Sequence, residues 1–286
     1  MRISEMLREG KVRLSCEIFP PKKFEHLAEA ERVAEEIARL HPAFISVTYG
    51  AAGSAAGHTL RIAQAVKQAG VEPLCHLTCV QSDRQQVRQV LGEMKAAGME
   101  NVLALRGDLP KTGEPARDFA YAAELISFIR REGDFCVGAA CYPEGHPESG
   151  GRLQDIEYLR RKVDAGVDFL TTQMFFDNGI LYNFLYRALR AGIDLPVCAG
   201  IMPICDARQV DRVMKLSGSV MPPRFAAIAD RFAGDPAAMT QAGIAFATEQ
   251  IVDLVANGVQ HIHLYTMNKP WIARAIVNNL SSIIDM

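Results

Sequence analysis

Long hydrophobic runs are what this chain of 286 residues most plainly lacks. No stretch reaches the roughly 18 consecutive apolar residues that a membrane helix needs. The opening Met1-Arg2-Ile3-Ser4-Glu5-Met6-Leu7 carries no signal-peptide core, so a cytoplasmic protein without a membrane partner is expected. An excess of one charge is also missing. The formal net charge is −2, which provides no electrostatic case for nucleic acid. The seven cysteines, Cys16, Cys75, Cys79, Cys136, Cys141, Cys198 and Cys205, are an odd number with no CxxC pair. They read as reduced core thiols rather than a disulfide framework or a zinc site. His261 and His263 alternate on one strand face with Tyr265, a pattern that suits core or barrel lining better than ligation, and no metal is expected. Neither GxGxxG nor the Walker lysine pattern occurs, so a Rossmann nucleotide site is unsupported. What is present, 49% hydrophobic and 22% charged residues, suffices to bury a full core.

Short β-branched runs recur along the chain, each breaking into polar residues before a helical stretch. The strand candidates are Val12–Phe19, Phe44–Tyr49, Glu72–Cys79, Asn101–Arg106, Phe135–Tyr142, Phe169–Phe176, Pro196–Ile204 and His261–Met267. Between them Glu25–Leu40, Thr59–Ala69, Asp83–Ala97, Asp118–Arg131, Arg152–Ala165, Gly179–Ala191 and Asp206–Leu216 carry apolar residues at three-and-four spacing. Gly70, Gly98, Gly166, Gly192 and Gly258 stand where helices should stop. A last helix is predicted over Pro270–Ile284, with Pro270 suited to its first turn. Eight strands alternating with helices in a chain of this length predict a single (β/α)8 TIM barrel over residues 1–286, with its active site at the C-terminal strand ends. Ser217–Asp235, with Pro222-Pro223, Gly218 and Gly234, does not fit one simple unit. It predicts an extra short helix or lid after strand seven, before a helix at Pro236–Ala256.

The polar strand ends carry the chemistry. Glu17 sits among apolar neighbours in Ser15-Cys16-Glu17-Ile18-Phe19. It is either solvated at the rim or enclosed, and enclosure by apolar groups would raise its pKa towards that of a proton donor. Asp108 follows Arg106 by two residues, so pairing between them, a surface turn and a site are all open, while Gly107 suggests close backbone approach to a ligand. Thr48-Tyr49-Gly50-Ala51-Ala52-Gly53-Ser54 is either a bland glycine-rich turn or a surface for a flat cofactor. In Tyr142-Pro143-Glu144-Gly145-His146-Pro147-Glu148-Ser149, two prolines stiffen a loop presenting Tyr, His and carboxylates. Asp155, Tyr158 and Lys162 share one helix face, as a site or as a solvated stripe. Gln173 places an amide, able to donate and accept, on an otherwise apolar strand.

The ordered series Cys16-Glu17-Ile18-Phe19-Pro20-Pro21-Lys22, Phe44-Ile45-Ser46-Val47-Thr48-Tyr49-Gly50, His76-Leu77-Thr78-Cys79, Ala104-Leu105-Arg106-Gly107-Asp108-Leu109-Pro110, Tyr142-Pro143-Glu144-Gly145-His146-Pro147-Glu148 and Arg161-Lys162-Val163-Asp164-Ala165-Gly166 resembles the methylenetetrahydrofolate reductase family in its bacterial, barrel-only form. The likeness spans nearly the whole chain. It implies an FAD-binding catalytic barrel that reduces 5,10-methylenetetrahydrofolate to 5-methyltetrahydrofolate, with NADH or NADPH as co-substrate. By motif match, Glu17 would be the general acid at folate N10 and Asp108 the carboxylate near flavin N1 and the C2 carbonyl. The FAD positions carried over are Thr48, Tyr49, Ala51, His76, Arg106, Gly107, Asp108, Tyr121, Ala122, Tyr142, His146, Ser149, Asp155, Arg161 and Lys162. Gln173, Tyr182 and Lys269 are the folate-side positions.

The chain departs from the family pattern in three places. The lid Gln and Phe of bacterial members align with Ala227 and Ala229, leaving Phe225 or Phe232 as replacements. Lys269 stands where an Arg is familiar, which keeps the charge and loses the bidentate fork. Tyr158 stands where a smaller polar residue is familiar. Two further readings stay open: a catalytic subunit fed electrons by a partner protein, and a non-redox, methyltransferase-type folate-binding barrel. A homo-oligomer is compatible with either.

Overall fold

A computed structural model describes residues 1–21, 23–49, 55–109 and 118–285. Its strands are β1 (Arg13–Ile18), β2 (Phe44–Val47), β3 (Glu72–Thr78), β4 (Asn101–Leu105), β5 (Cys136–Cys141), β6 (Phe169–Thr172), β7 (Val197–Ile201) and β8 (His261–Tyr265). Each pairs in parallel with the next, and β8 returns to β1, closing the barrel. The helices are α1 (Ile3–Met6), α2 (Leu27–Ala38), α3 (Ala55–Gln68), α4 (Arg84–Ala96), α5 (Ala122–Glu132), α6 (Arg152–Asp164), α7 (Asn178–Arg190), α8 (Val210–Ser217), α9 (Pro223–Phe232), α10 (Pro236–Ala256) and α11 (Pro270–Asn279). The predicted (β/α)8 barrel is therefore the observed architecture.

Both faces of every strand are covered, which is why the strands read as near-continuous apolar runs. Alternation divides the residues between two cores. Outward-facing Leu14, Cys16, Ile45, Val47, Cys75, Leu77, Val102 and Ala104 pack against the helices in the main core. Inward-facing Phe44, Leu74, Leu103, Cys136, Phe169 and Cys198 fill the lower barrel, where α1 adds Ile3 and Met6. This plugging helix was not anticipated: its four residues are too few to show a period. Six of the cysteines are buried, the seventh, Cys205, is half-buried, and all are free thiols.

The predicted extra helix after strand seven is α9, begun by Pro223 after Pro222. Phe225 is buried in a cluster with Phe176, Met202, Ile204, Val213 and Met239, its ring edge-on to Phe246 at 4.7 Å. Phe232 packs against the same cluster. Phe225 is thus a core residue, which removes it as a replacement for the missing lid aromatic. Strand six also ends earlier than predicted. After Thr172 the apolar Phe175 and Phe176 continue as loop, and their composition reflects burial rather than pairing. Among the described residues no helix is long and apolar enough to cross a membrane.

Candidate active site at the barrel mouth

Above the apolar lower layer, the barrel interior turns polar. Register sets Glu17 of β1 beside Ser46 of β2 and Tyr265 of β8, and inward-facing His76 and His263 come from β3 and β8. Glu17 Oε2 lies 3.3 Å from Ser46 Oγ, 3.5 Å from His76 Nε2 and 3.7 Å from His263 Nε2. Ser15 Oγ is 2.7 Å from His263 Nδ1, and Ser46 Oγ is 3.2 Å from Nε2 of that ring. The His263 ring is thus fixed through both nitrogens.

Glu17 is neither solvated at the rim nor enclosed by apolar groups. It is 19% exposed. Burial pushes its carboxyl up and is the largest single influence, yet hydrogen bonding from His263, the nearby His76 and His263 rings and the Ser46 hydroxyl together hold it below its ordinary value. The apolar enclosure expected to raise it is absent, so Glu17 is ionised in this state. Burial pushes the His76 ring down to about 4 despite Glu17 beside it. His76 is therefore neutral at physiological pH and lends its charge to Glu17 only in acid. Its Nε2 is buried without a hydrogen-bond partner, an orphan that invites a ligand.

Beside this cluster a cavity of about 1020 Å³ runs from the ends of β4 and β5 out between α5 and α6. Arg106, Gly107, Asp108, Tyr121, Ala122, Tyr142, His146, Ser149, Asp155, Arg161 and Lys162 all line it, so most of the carried-over FAD positions meet in one groove. Arg106 does not pair with Asp108. It forms a two-pronged ion pair with Glu148, at 2.5 and 2.8 Å, leaving Asp108 exposed on the groove wall. Gly107 has φ +86°, and a Cβ there would lie 3.0 Å from Thr78 Cβ and 3.3 Å from Val80 Cγ1. Packing against β3 and the residues after it thus asks for a glycine here whatever approaches from the groove.

On the other wall, Lys162 Nζ donates to Ala140 O at 2.8 Å and lies 5.7 Å from the Tyr142 ring centre. Burial lowers its pKa, against the pull of Cys141 and Asp155. Burial likewise pushes Tyr142 up to about 12 and raises Asp155. Tyr142 packs edge-on to His146 at 4.7 Å. The Ser149 hydroxyl donates to His146 O, and Glu144 accepts from Val220 N, tying this loop to the segment before α9. The loop is built rather than passive.

Other carried-over positions lie elsewhere. Tyr49 packs against the main strand–helix core, and Thr48 O accepts from Thr59 Oγ1 at 3.0 Å; neither lines the groove. Ala51 lies outside the described residues. Gln173 follows β6 beside β5, its N–H on Cys141 O, with its own Oε1 accepting from Met174 N. Tyr182, on α7, donates to Asp253 of α10 at 2.8 Å. Lys269 occupies the position before α11 without a capping side-chain hydrogen bond and adds positive charge near Asp206 and Cys205. Sequence reasoning missed Ser46 and undervalued His263. The available signal was the one-face alternation of His261, His263 and Tyr265 on a strand that closes the barrel against that of Glu17. Among the described residues no cluster of His, Cys, Asp and Glu suits a metal ion.

A closed (β/α)8 barrel with a hydrogen-bonded carboxylate at its C-terminal mouth and a deep groove alongside defines a TIM-barrel enzyme of the mouth-active type. The family model for methylenetetrahydrofolate reductase matches residues 2–281. The chain is 32% identical over 273 residues to the 5,10-methylenetetrahydrofolate reductase of Pectobacterium carotovorum subsp. carotovorum, covering 95% of this chain and 91% of that one. It is 32% identical over 274 residues to that of Escherichia coli (strain K12), covering 95% and 92%. A maize relative, methylenetetrahydrofolate reductase (NADH) 1, is 35% identical over 298 residues but is matched over only 50% of its own length. The chain belongs to the methylenetetrahydrofolate reductase family and is an oxidoreductase of folate one-carbon metabolism. At the level of fold alone, it superposes on an uncharacterised Clostridium thermocellum protein, described as binding two copies of 5-methyl-5,6,7,8-tetrahydrofolic acid, with TM-score 0.65, 12% identity and 99% coverage of each chain.

Proposed function

We propose that the barrel reduces 5,10-methylenetetrahydrofolate to 5-methyltetrahydrofolate through FAD held in the groove, with NADH or NADPH as electron donor. The observation that carries this reading is the convergence of Glu17, Ser46, His76 and His263 at the mouth, beside the groove that gathers the family's flavin positions. The residues fit such a cofactor. At about 1020 Å³ the groove is at the upper end of the ~300–1,000 Å³ usual for ligand pockets. Arg161 and Lys162 supply positive charge for a diphosphate, while Arg106 is engaged by Glu148. Helix α5 opens on the groove with no side-chain cap and with Ala122 and Ala123 at its N-terminus, so backbone N–H groups are accessible. When bound, FAD supplies the two-electron relay between nicotinamide and folate.

The protein's part is to position the folate and to move one proton. Ring opening of the substrate needs a proton at N10, and the Glu17 carboxyl is the group to deliver it. Its carboxyl is ionised while the mouth is open. A ligand covering the exposed 19% of the side chain adds to burial, the one influence that pushes Glu17 up. Proton uptake then accompanies substrate binding. Asp108 presents a carboxylate on the groove wall for the cationic one-carbon centre. Gln173 has its Oε1 engaged by Met174 N, leaving the amide NH2 for the pterin. Lys269 offers charge for the glutamate tail. The donor step is where the chain departs from its relatives: Ala227 and Ala229 replace the lid Gln and Phe, and Phe225 is committed to the core. That departure keeps a partner-fed electron supply as the second reading.

The test separates the half-reactions. The FAD-loaded protein is photoreduced without oxygen, 5,10-methylenetetrahydrofolate is added, and return of the oxidised flavin absorbance is followed. Recovery with formation of 5-methyltetrahydrofolate is expected. No recovery in protein that holds FAD would overturn the folate half of the reading. Turnover of the isolated chain with NADH or NADPH would discard the partner-fed alternative.

A further inference from the structure

Resting on the folate reading above, we propose that the turn between β8 and α11 is the positioning device for Glu17, with Thr266 and Asn268 holding the backbone at the acid and just beyond it. The register of β1 on β8 ends at Glu17 and Tyr265. Past that point side chains of the turn take over the ladder. The Thr266 hydroxyl donates to Glu17 O at 2.6 Å, and Thr266 N approaches the same oxygen at 3.4 Å. Asn268 then meets Phe19 as a neighbouring strand would: its Oδ1 accepts from Phe19 N at 3.0 Å and its Nδ2 donates to Phe19 O at 2.9 Å. Phe19 is the last residue that can be gripped at both groups, because Pro20 and Pro21 have no N–H to donate. It is 40% exposed, so burial does not anchor it.

The turn that presents this amide is strained. Met267 and Asn268 both hold left-handed backbone, at φ +52° and +53°, a region that methionine rarely visits. Lys269 N closes the turn on Thr266 O at 3.0 Å, and Asn268 N donates to Thr266 Oγ1 at 3.2 Å, so the surrounding bonds over-determine the strained conformation. The Glu17 carboxyl itself has no comparable tether. Its Oε2 lies 3.3 Å from Ser46 Oγ and 3.5 and 3.7 Å from the rings of His76 and His263, contacts too long to fix its direction alone. The aim of the acid is therefore set where its side chain leaves the backbone, and a displacement of about 1 Å costs a reacting group roughly a hundredfold in rate.

The experiment is the anaerobic reoxidation of photoreduced FAD by 5,10-methylenetetrahydrofolate, run over a range of folate in wild type, Asn268→Gly, Glu17→Gln and the double variant. Glycine keeps the left-handed turn and deletes only the amide. The plateau rate of Asn268→Gly is expected to fall about ten- to a hundredfold, while the half-saturating folate concentration and the FAD affinity stay within about twofold of wild type. In the Glu17→Gln background, where no acid remains to be aimed, the same substitution is expected to cost less than about twofold. Equal losses in both backgrounds, an unchanged plateau, or a loss confined to folate affinity would overturn the positioning role and leave the folate reading intact. If Asn268→Gly does not fold, Thr266→Val deletes the hydroxyl on Glu17 O with its shape kept, and the same outcomes decide. A wild type that holds FAD but is not reoxidised by the folate overturns that reading and this inference with it.

Discussion

Substituting Gly107 by alanine should unfold the empty protein more readily, before any ligand is considered. The added Cβ would sit 3.0 Å from Thr78 Cβ and 3.3 Å from Thr78 Cγ2 and Val80 Cγ1. The Val80 methyl can rotate aside, but Thr78 Cβ is fixed by its strand and cannot. The residue also holds φ +86°, which costs an alanine about 1–2 kcal/mol. Crowding of a packed wall costs about 1–3 kcal/mol. Because the two relax together, the loss should be about 2–4 kcal/mol, or roughly 5–10 °C in Tm for a chain of this size. Far-UV circular dichroism during heating of the flavin-free variant reads it directly. If the glycine were there only to let a ligand approach, the empty variant would melt within about 2 °C of wild type and only flavin affinity would fall. That result would refute the packing account.

Three further predictions concern the mouth and its surroundings. Glu17→Gln should leave flavin reduction by the nicotinamide nearly intact and slow folate-dependent reoxidation by about 10²–10⁴-fold in stopped-flow traces; loss of FAD binding instead would sink the acid assignment. His76, held down to about 4 by burial, is depressed relative to the unfolded chain. Its stabilising effect is complete above the unfolded value near 6.5 and is lost as pH falls through about 4, by up to ~3 kcal/mol. Glu17, also depressed, loses stability in the same direction, and urea midpoints between pH 7.5 and 4 should fall less steeply in His76→Gln, an equal slope being the refuting outcome. Phe225→Ala should cost about 3–5 kcal/mol in urea unfolding, since the ring is buried against Phe246; near-neutral stability would return Phe225 to the pool of mobile substrate-stacking residues.

The barrel was legible because every strand is buried on both faces, so each appears as an apolar run closed by polar residues. Helix α10 matches its predicted bounds, Pro236–Ala256, because Asp235 caps its start and Gly258 follows its end at φ +89°. The plug α1 was invisible because its value lies in tertiary contact with Phe44, Leu74 and Leu103. Glu17 could be found as a glutamate out of place in a strand. Its approach to His263 could be read only from the alternation on β8 once that strand is set against β1. The hydroxyl of Tyr182, a weaker folate-side candidate, is engaged by Asp253 on a neighbouring helix, a contact that no local spacing displays.

The polar layer explains why a proton donor can be built from a carboxylate that is ionised at rest. An acid enclosed only by apolar side chains would stay protonated with or without substrate. Glu17 instead faces the Ser46 hydroxyl and His263, which favour its charged form, while burial opposes them as the largest single influence. Any ligand that covers the rest of the side chain adds to the opposing influence. His76 matters here as a neutral ring: with its value pushed to about 4, it adds no charge to hold Glu17 ionised at neutral pH. Were His76 cationic there, an ion pair would lock the carboxylate and closing the mouth would have to break it. Under the function proposed above, Glu17 is charged while the mouth is open and takes up its proton when substrate covers it.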